Sequence, residues 1–275
     1  MPLSINTNIA SMTAQRSFLN SNAALETSFE RLSTGKRVNS AVDDAAGLAI
    51  GKDLESRVSG LNQAIRNAND GISIIQIAEG ALDEGTTLLQ RMRDLAVQAS
   101  SDGISDTERV YLEAESDKLI AAFDDLSTAA KWNGSSVFTD TAFVFQTGAD
   151  AGDTVSVTVA VGTANDFLDN ANADADVNLT SRANASTSIT RIDEALAEVA
   201  SKRAQLGAEQ AQLEATVRNL ANVAENTAAA AGRIMDTDYA AETANLTKAQ
   251  ILQQAATSIL AQANAQPQAV LALLQ

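Results

Sequence analysis

The chain has 275 residues and contains neither histidine nor cysteine. The first absence removes the usual general base near neutral pH and the commonest metal ligand. The second removes disulfides, thiolate nucleophiles and thiolate metal sites. Among the groups that remain, the adjacent carboxylates Asp43 and Asp44 are best placed to divide acid and base roles or to hold a cation. No third ligand lies nearby in the sequence, and negative charge just before a helix is favourable through the helix dipole alone. Gly35, Gly47 and Gly51 do not make a phosphate loop, because Gly35-Lys36 is followed by Arg37 and not by Ser or Thr. Asn-x-Ser/Thr triplets at Asn133, Asn178, Asn184 and Asn245 are short enough to arise by chance. No nucleophile has a plausible base. The expectation is a protein that is not an enzyme and carries no metal or cofactor.

With no chemistry to position, the elements themselves carry the reading. Aromatic residues make up only 4% of the chain, proline occurs twice, and alanine dominates the apolar fraction. Alanine costs least in a helix and lets backbones approach closely, so this composition favours long helices packed on one another. The formal charge of −16 would be repelled by phosphate backbones and anionic lipid, which argues against nucleic-acid and membrane partners. The opening residues lack both a basic start and an unbroken apolar stretch, so no ordinary secretory signal is visible, and no segment is apolar for long enough to span a membrane. Those features alone would place the chain in the cytoplasm.

From about residue 44 to 99, Leu54, Leu61, Ala68, Ile75, Leu82, Leu89 and Ala96 recur every seventh position. A companion row, Val58, Ile65 and Ile72, turns polar at Glu79, Thr86 and Arg93, so the spacing predicts one long helix with a narrowing heptad seam. Ser100 to Gly103 breaks it, and Ser105 with Glu108 forms a capping box that opens a second helix carrying Leu112, Leu119, Phe123 and Leu126, folded back antiparallel. Residues 142–146 and the strictly alternating stretch from Thr154 to Val161 predict a β-hairpin. A third long helix begins near Ala185, with Ile192, Val199, Leu206, Leu213 and Leu220 seven apart. Both ends are amphipathic: Leu25, Phe29 and Leu32 form one stripe, and Leu252, Ala256, Ile259 and Ala263 another. Neither end has enough apolar surface to offset its own ordering, so both need partners.

Several segments resemble the bacterial flagellins. They are Arg31-Leu32-Ser33-Thr34-Gly35-Lys36-Arg37, Asp43-Asp44-Ala45-Ala46-Gly47-Leu48, Arg66-Asn67-Ala68-Asn69-Asp70-Gly71-Ile72 and Gln90-Arg91-Met92-Arg93-Asp94-Leu95-Ala96-Val97. Near the other end Arg233-Ile234-Met235-Asp236-Thr237-Asp238-Tyr239-Ala240 and Gln262-Ala263-Asn264-Ala265-Gln266-Pro267 are similar too. The resemblance implies a mainly α protein in which residues 1–40 and 235–275 are terminal helices that order on assembly and form the inner core of a filament. Residues 41–130 and 185–234 would form a coiled-coil rod of long antiparallel helices. Residues 131–184 would supply a small β-hairpin and a variable surface segment.

By the same resemblance the chain is a self-assembling subunit of the extracellular flagellar filament, exported unfolded through the type III channel. Its implied partners are further copies of itself, an export chaperone, the filament cap, hook-junction proteins and the Toll-like receptor that senses flagellin. Assembly contacts are expected at Leu25, Phe29, Leu32, Leu252, Ala256, Ile259 and Ala263, and receptor contacts at Gln90, Arg91, Leu95 and Glu115. Two other readings remain: a hook–filament junction protein with similar terminal helices, and a cytoplasmic coiled-coil scaffold, which would leave the end motifs unexplained.

Overall fold

The computed structural model describes residues 7–139, 141–159 and 177–273. Five helices appear among them: α1 (Ile9–Thr34), α2 (Ala45–Ala99), α3 (Asp106–Ala129), α4 (Arg182–Met235) and α5 (Tyr239–Leu273). Two antiparallel strand pairs lie between α3 and α4, namely β1 (Lys131–Trp132) with β2 (Ser135–Ser136), and β3 (Phe143–Gln146) with β4 (Thr154–Val157). The chain divides into two compact units, Met1–Arg57 with Glu225–Gln275, and Val58–Ala224.

In the larger unit the predicted heptads become the core. Ala68, Ile75, Leu82, Leu89 and Ala96 of α2 are buried in one cluster with Ile192, Val199, Leu206 and Leu213 of α4. The ion pairs Arg93–Asp193 at 2.6 Å and Arg203–Glu79 at 2.7 Å run in opposite order along the two helices, which makes α2 and α4 antiparallel. A further buried row on α2, Ile74, Ala78, Met92, Leu95 and Ala99, was not foreseen. It arises because α2 also packs on α3: a Cβ added at Gly85 would come within 2.8 Å of Phe123, so glycine is what admits that ring. One helix between two neighbours needs two seams.

The reversal from α2 to α3 is closed by the Ser105–Glu108 capping box and by a buried cation. Arg109 donates to the carbonyls of Ala99 and Ser101 at 2.8 and 2.9 Å and to Asp106 at 2.7 Å. Those carbonyls belong to the helix end, where intrahelical donors run out. Before α4, the backbone N–H of Leu179 donates to the Glu113 carboxylate, which ties the returning chain to α3.

The hairpin pairs Phe143 with Val157 and Phe145 with Val155. Its ladder ends at Val157, earlier than the alternation predicts: Val159 is buried beyond the strand, where its carbonyl accepts from the N–H of Thr139, and Val161 lies outside the described residues. The smaller pair, β1–β2, turns at Asn133 and Gly134, whose φ angles of 49° and 84° are those of a two-residue hairpin loop.

In the smaller unit α1 and α5 lie antiparallel. Asn8 caps α1 by accepting from the N–H of Ser11, and Gly35 ends it at a φ of 71°. Just beyond, the Arg37 N–H donates to Met235 and the Thr237 N–H to Gly35, which forms a short antiparallel bridge. The sequence suggested that each end must find partners elsewhere. In this structure the ends serve each other, through a seam of small residues that includes Ala14, Ala249, Ala256 and Ala263, all buried.

Two outcomes are expected. Leu89→Ala removes a side chain that is 1% exposed and should cost about 2 to 5 kcal/mol, read as a lower denaturant midpoint by circular dichroism. Glu209 has one carboxylate oxygen buried without a partner among the described residues, and burial raises its pKa although the Thr158 backbone partly offsets this. A folded-state pKa above the unfolded one makes stability fall as pH rises between the two values. Glu209→Gln should therefore raise the melting temperature at neutral pH, with the gain vanishing as the pH drops below the unfolded pKa.

Candidate assembly surface

The acidic pair is absorbed by local structure. Asp43 accepts from the Ser40 N–H at 2.9 Å, the Ser40 hydroxyl at 3.0 Å and the Asn39 N–H at 3.2 Å, and these bonds hold its carboxyl below its usual range. Asp44 accepts from the Gly47 N–H at 2.8 Å and so meets a free donor in the first turn of α2. Among the described residues no three or more acidic side chains gather as a metal site would require, and no helix is long and apolar enough to cross a membrane.

The terminal helix pair offers something different. An open groove of about 600 Å³ runs along it, lined on α1 by Ile9, Ala10, Thr13, Ala14, Ser17 and Ser21 and on α5 by Leu252, Ala255, Ala256 and Ile259. Ile9 is 68% exposed, Ile259 55% and Leu252 48%, and Met12, Leu19, Phe29 and Ile251 are exposed as well. Large aliphatic side chains left in water on one helix pair mark an interaction surface.

The expected assembly residues separate into three groups. Phe29, Leu252 and Ile259 are exposed, and Leu25 and Leu32 are half-buried. Ala256 and Ala263 are buried in the seam with α1, Ala256 at the floor of the groove. Two stripes thus replace the one that four- and three-residue spacing suggested: the alanines face the partner helix and the larger residues face out. Sequence reading missed Ile9, Met12, Leu19 and Ile251. Their signal, large apolar residues beside an alanine stripe, is present but weak.

The expected receptor residues divide similarly. Gln90 and Arg91 are exposed, and Arg91 reaches Glu115 across α2 and α3 with its Nε at 3.1 Å and Nη2 at 2.7 Å. The two residues are brought together. Leu95, at 1% exposure, belongs to the second seam of α2.

Long helices with a packed core in one unit, and a terminal pair with an uncovered apolar face in the other, define a helical protein with an apolar surface open to a partner. The bacterial flagellin N-terminal helical region matches residues 5–142, and the bacterial flagellin C-terminal helical region matches residues 189–274. Flagellin from Halalkalibacterium halodurans is 42% identical over 274 residues, covering 98% of this chain and 99% of that one. Flagellin from Bacillus subtilis is 39% identical over 308 residues, with 98% and 99% covered. Among solved structures, Bacillus cereus flagellin aligns with a TM-score of 0.50 at 29% identity over 60% of this chain and 94% of that one. A putative flagellar hook-associated protein from Vibrio parahaemolyticus aligns with a TM-score of 0.59 over 70% and 100% of the two chains, but at 16% identity it shares the fold alone.

The chain belongs to the bacterial flagellins. It is a structural subunit of the flagellar filament, the extracellular assembly that drives motility, and it forms that filament by self-association. The junction-protein reading has no better support, and a cytoplasmic scaffold would not have flagellin relatives along its full length.

Proposed function

We propose that the paired terminal helices are the polymerisation module of this subunit, and that the exposed side chains along their groove make the contacts between copies. The observation that carries this reading is the outward placement of Ile9, Leu252 and Ile259 beside a buried alanine seam. Residues 1–40 and 235–275 become the inner filament core, residues 41–130 and 185–234 the surrounding helical layer, and residues 131–184 the outer segment. Because the seam between α1 and α5 is built largely from alanine, it buries few large side chains, and the ends reach full order when neighbouring copies cover the rest. Before assembly the chain passes unfolded through the flagellar type III channel, attended by an export chaperone, and it is inserted beneath the filament cap above the hook-junction proteins.

A second role is supported by the Arg91–Glu115 pair. Gln90, Arg91 and Glu115 form a polar surface that the Toll-like flagellin receptor engages on the monomer, with the arginine fork presented to a partner carboxylate or carbonyl. Leu95 contributes by holding that surface from below.

Removing residues 1–40 and 235–275 by limited proteolysis should leave a helical fragment that no longer elongates filament seeds. Ile259→Asp or Leu252→Asp should abolish elongation while circular dichroism of the monomer hardly changes, because each side chain is exposed before assembly and would be buried without a partner after it. Normal elongation by these variants would defeat the reading. In reporter cells, Arg91→Ala should weaken the response to folded monomer at unchanged melting temperature. Leu95→Ala should weaken it together with a lowered melting temperature.

A further inference from the structure

The seam between α1 and α5 is nearly periodic. Ala249, Ala256 and Ala263 are buried at seven-residue intervals on α5. Identical small side chains at a constant interval pack almost as well after one helix slides a heptad along the other, a shift of roughly 10 Å at 1.5 Å per residue. One heptad earlier in the same row stands Glu242, only 7% exposed. Its Oε1 accepts from the Ser28 hydroxyl at 2.5 Å, Ser28 is itself buried, and its Oε2 lies 3.8 Å from Arg31 Nη1.

A buried carboxylate is a poor way to strengthen an alanine seam, because its desolvation can outweigh what it gains from its partners. It is a good way to choose an alignment. Slid one way, Glu242 passes the end of α1 at Gly35. Slid the other, it meets Ser21 with Ala24 in place of Arg31, so it keeps a hydroxyl and loses its cation. The other side-chain ties along the pair are weaker selectors: Asn8 to the Ala263 carbonyl, Ser11 to Asn264 and Gln253 to Asn22 are exposed or partly so, and water can replace them. The backbone bridge between residues 35–37 and 235–237 lies outside both helices and acts together with Glu242.

We propose that Glu242 is the register key of the terminal helix pair. It is a positioning residue that admits one alignment of α1 with α5 and thereby fixes which side chains face outward for subunit contact. The consequence for assembly rests on the polymerisation reading above. The alignment itself does not.

The absence of native cysteine makes the test direct. In the full-length chain, Ser11→Cys with Asn264→Cys reports the observed alignment, where the two side chains lie 2.7 Å apart. Ser11→Cys with Thr257→Cys reports the alignment one heptad away. Each pair is combined with Glu242, Glu242→Ala or Glu242→Gln, oxidised mildly, and scored for intramolecular cross-links in both filaments and soluble chain. With Glu242 the first pair should cross-link and the second hardly at all. Glu242→Ala should raise the shifted cross-link about fivefold, the population change that follows loss of an ion pair that only the observed alignment offers, and should slow seeded elongation. Glu242→Gln, which can accept from Ser28 or from Ser21 but carries no charge for Arg31, should slip as well. Cross-linking of either variant in the observed alignment alone overturns the proposal. Undiminished elongation by Ile259→Asp would instead overturn the polymerisation reading and leave the cross-link pattern standing.

Discussion

Small side chains let two helices approach closely, but the contact they make is shallow and carries little direction. That constraint shapes the terminal unit. Where α1 meets α5 through Ala14, Ala249, Ala256 and Ala263, no room is left inside for large residues, so Ile9, Leu19, Ile251 and Ile259 stand outside. The pair is therefore held within by polar ties and left apolar without. The larger unit follows the opposite rule. Leu82, Leu89, Ile192, Leu206 and Leu213 fill its interior, and its ion pairs lie at the rim. Burial of large side chains supplies far more stabilisation than burial of alanine, so one unit is suited to hold its shape and the other to complete its burial on a partner.

Charge is arranged to match. The chain carries 35 acidic and 19 basic residues, so its cations must be shared among many carboxylates. Arg203 serves both Glu79 and Asp83, and Glu55 receives both Lys36 and Lys52, which hold its carboxyl below the usual range. Arg109 of α3 pairs with one carboxylate, Asp106, and also collects the carbonyls of Ala99 and Ser101 at the end of α2. The excess negative charge stays in water, where it keeps single chains apart. Copies that approach in a filament must overcome it through apolar contact and salt screening.

How much of this could be read from the residues depended on range. The heptad row of α2 and the Ser105–Glu108 capping box were legible, because a period and a local hydrogen-bond exchange are both written in consecutive residues. The second row of α2, with Met92 and Leu95, was not separable from it, because two seams on one helix blur any single period. The turn at Asn133-Gly134 carried a clear hairpin signal, but its strands of two residues each are too short to show alternation. Arg109 and Glu242 were invisible as buried charges. A lone charged residue in a helix pattern reads as solvated, and only the fold reveals the carbonyls or the hydroxyl that receive it. The terminal stripes were found but not resolved, since three- and four-residue spacing describes a face without saying which neighbour covers it.

The connection beside the terminal pair shows why closeness itself must be controlled. A Cβ added at Gly51 of α2 would fall 2.1 Å from the sulfur of Met235, which is 1% exposed at the end of α4. Immediately after Met235 the chain pairs with the segment that follows α1, through the Arg37 N–H to Met235 and the Thr237 N–H to Gly35, while the Arg37 guanidinium reaches the Ile234 carbonyl at 2.6 Å. Glycine at position 51 thus lets a large, flexible thioether lie against a helix backbone directly beneath a two-stranded crossing. The crossing joins the segment that follows α1 to the segment that precedes α5. An alignment key at Glu242, only a few residues beyond, then acts where slippage would begin. A periodic seam is safest when its first position is the one that cannot repeat.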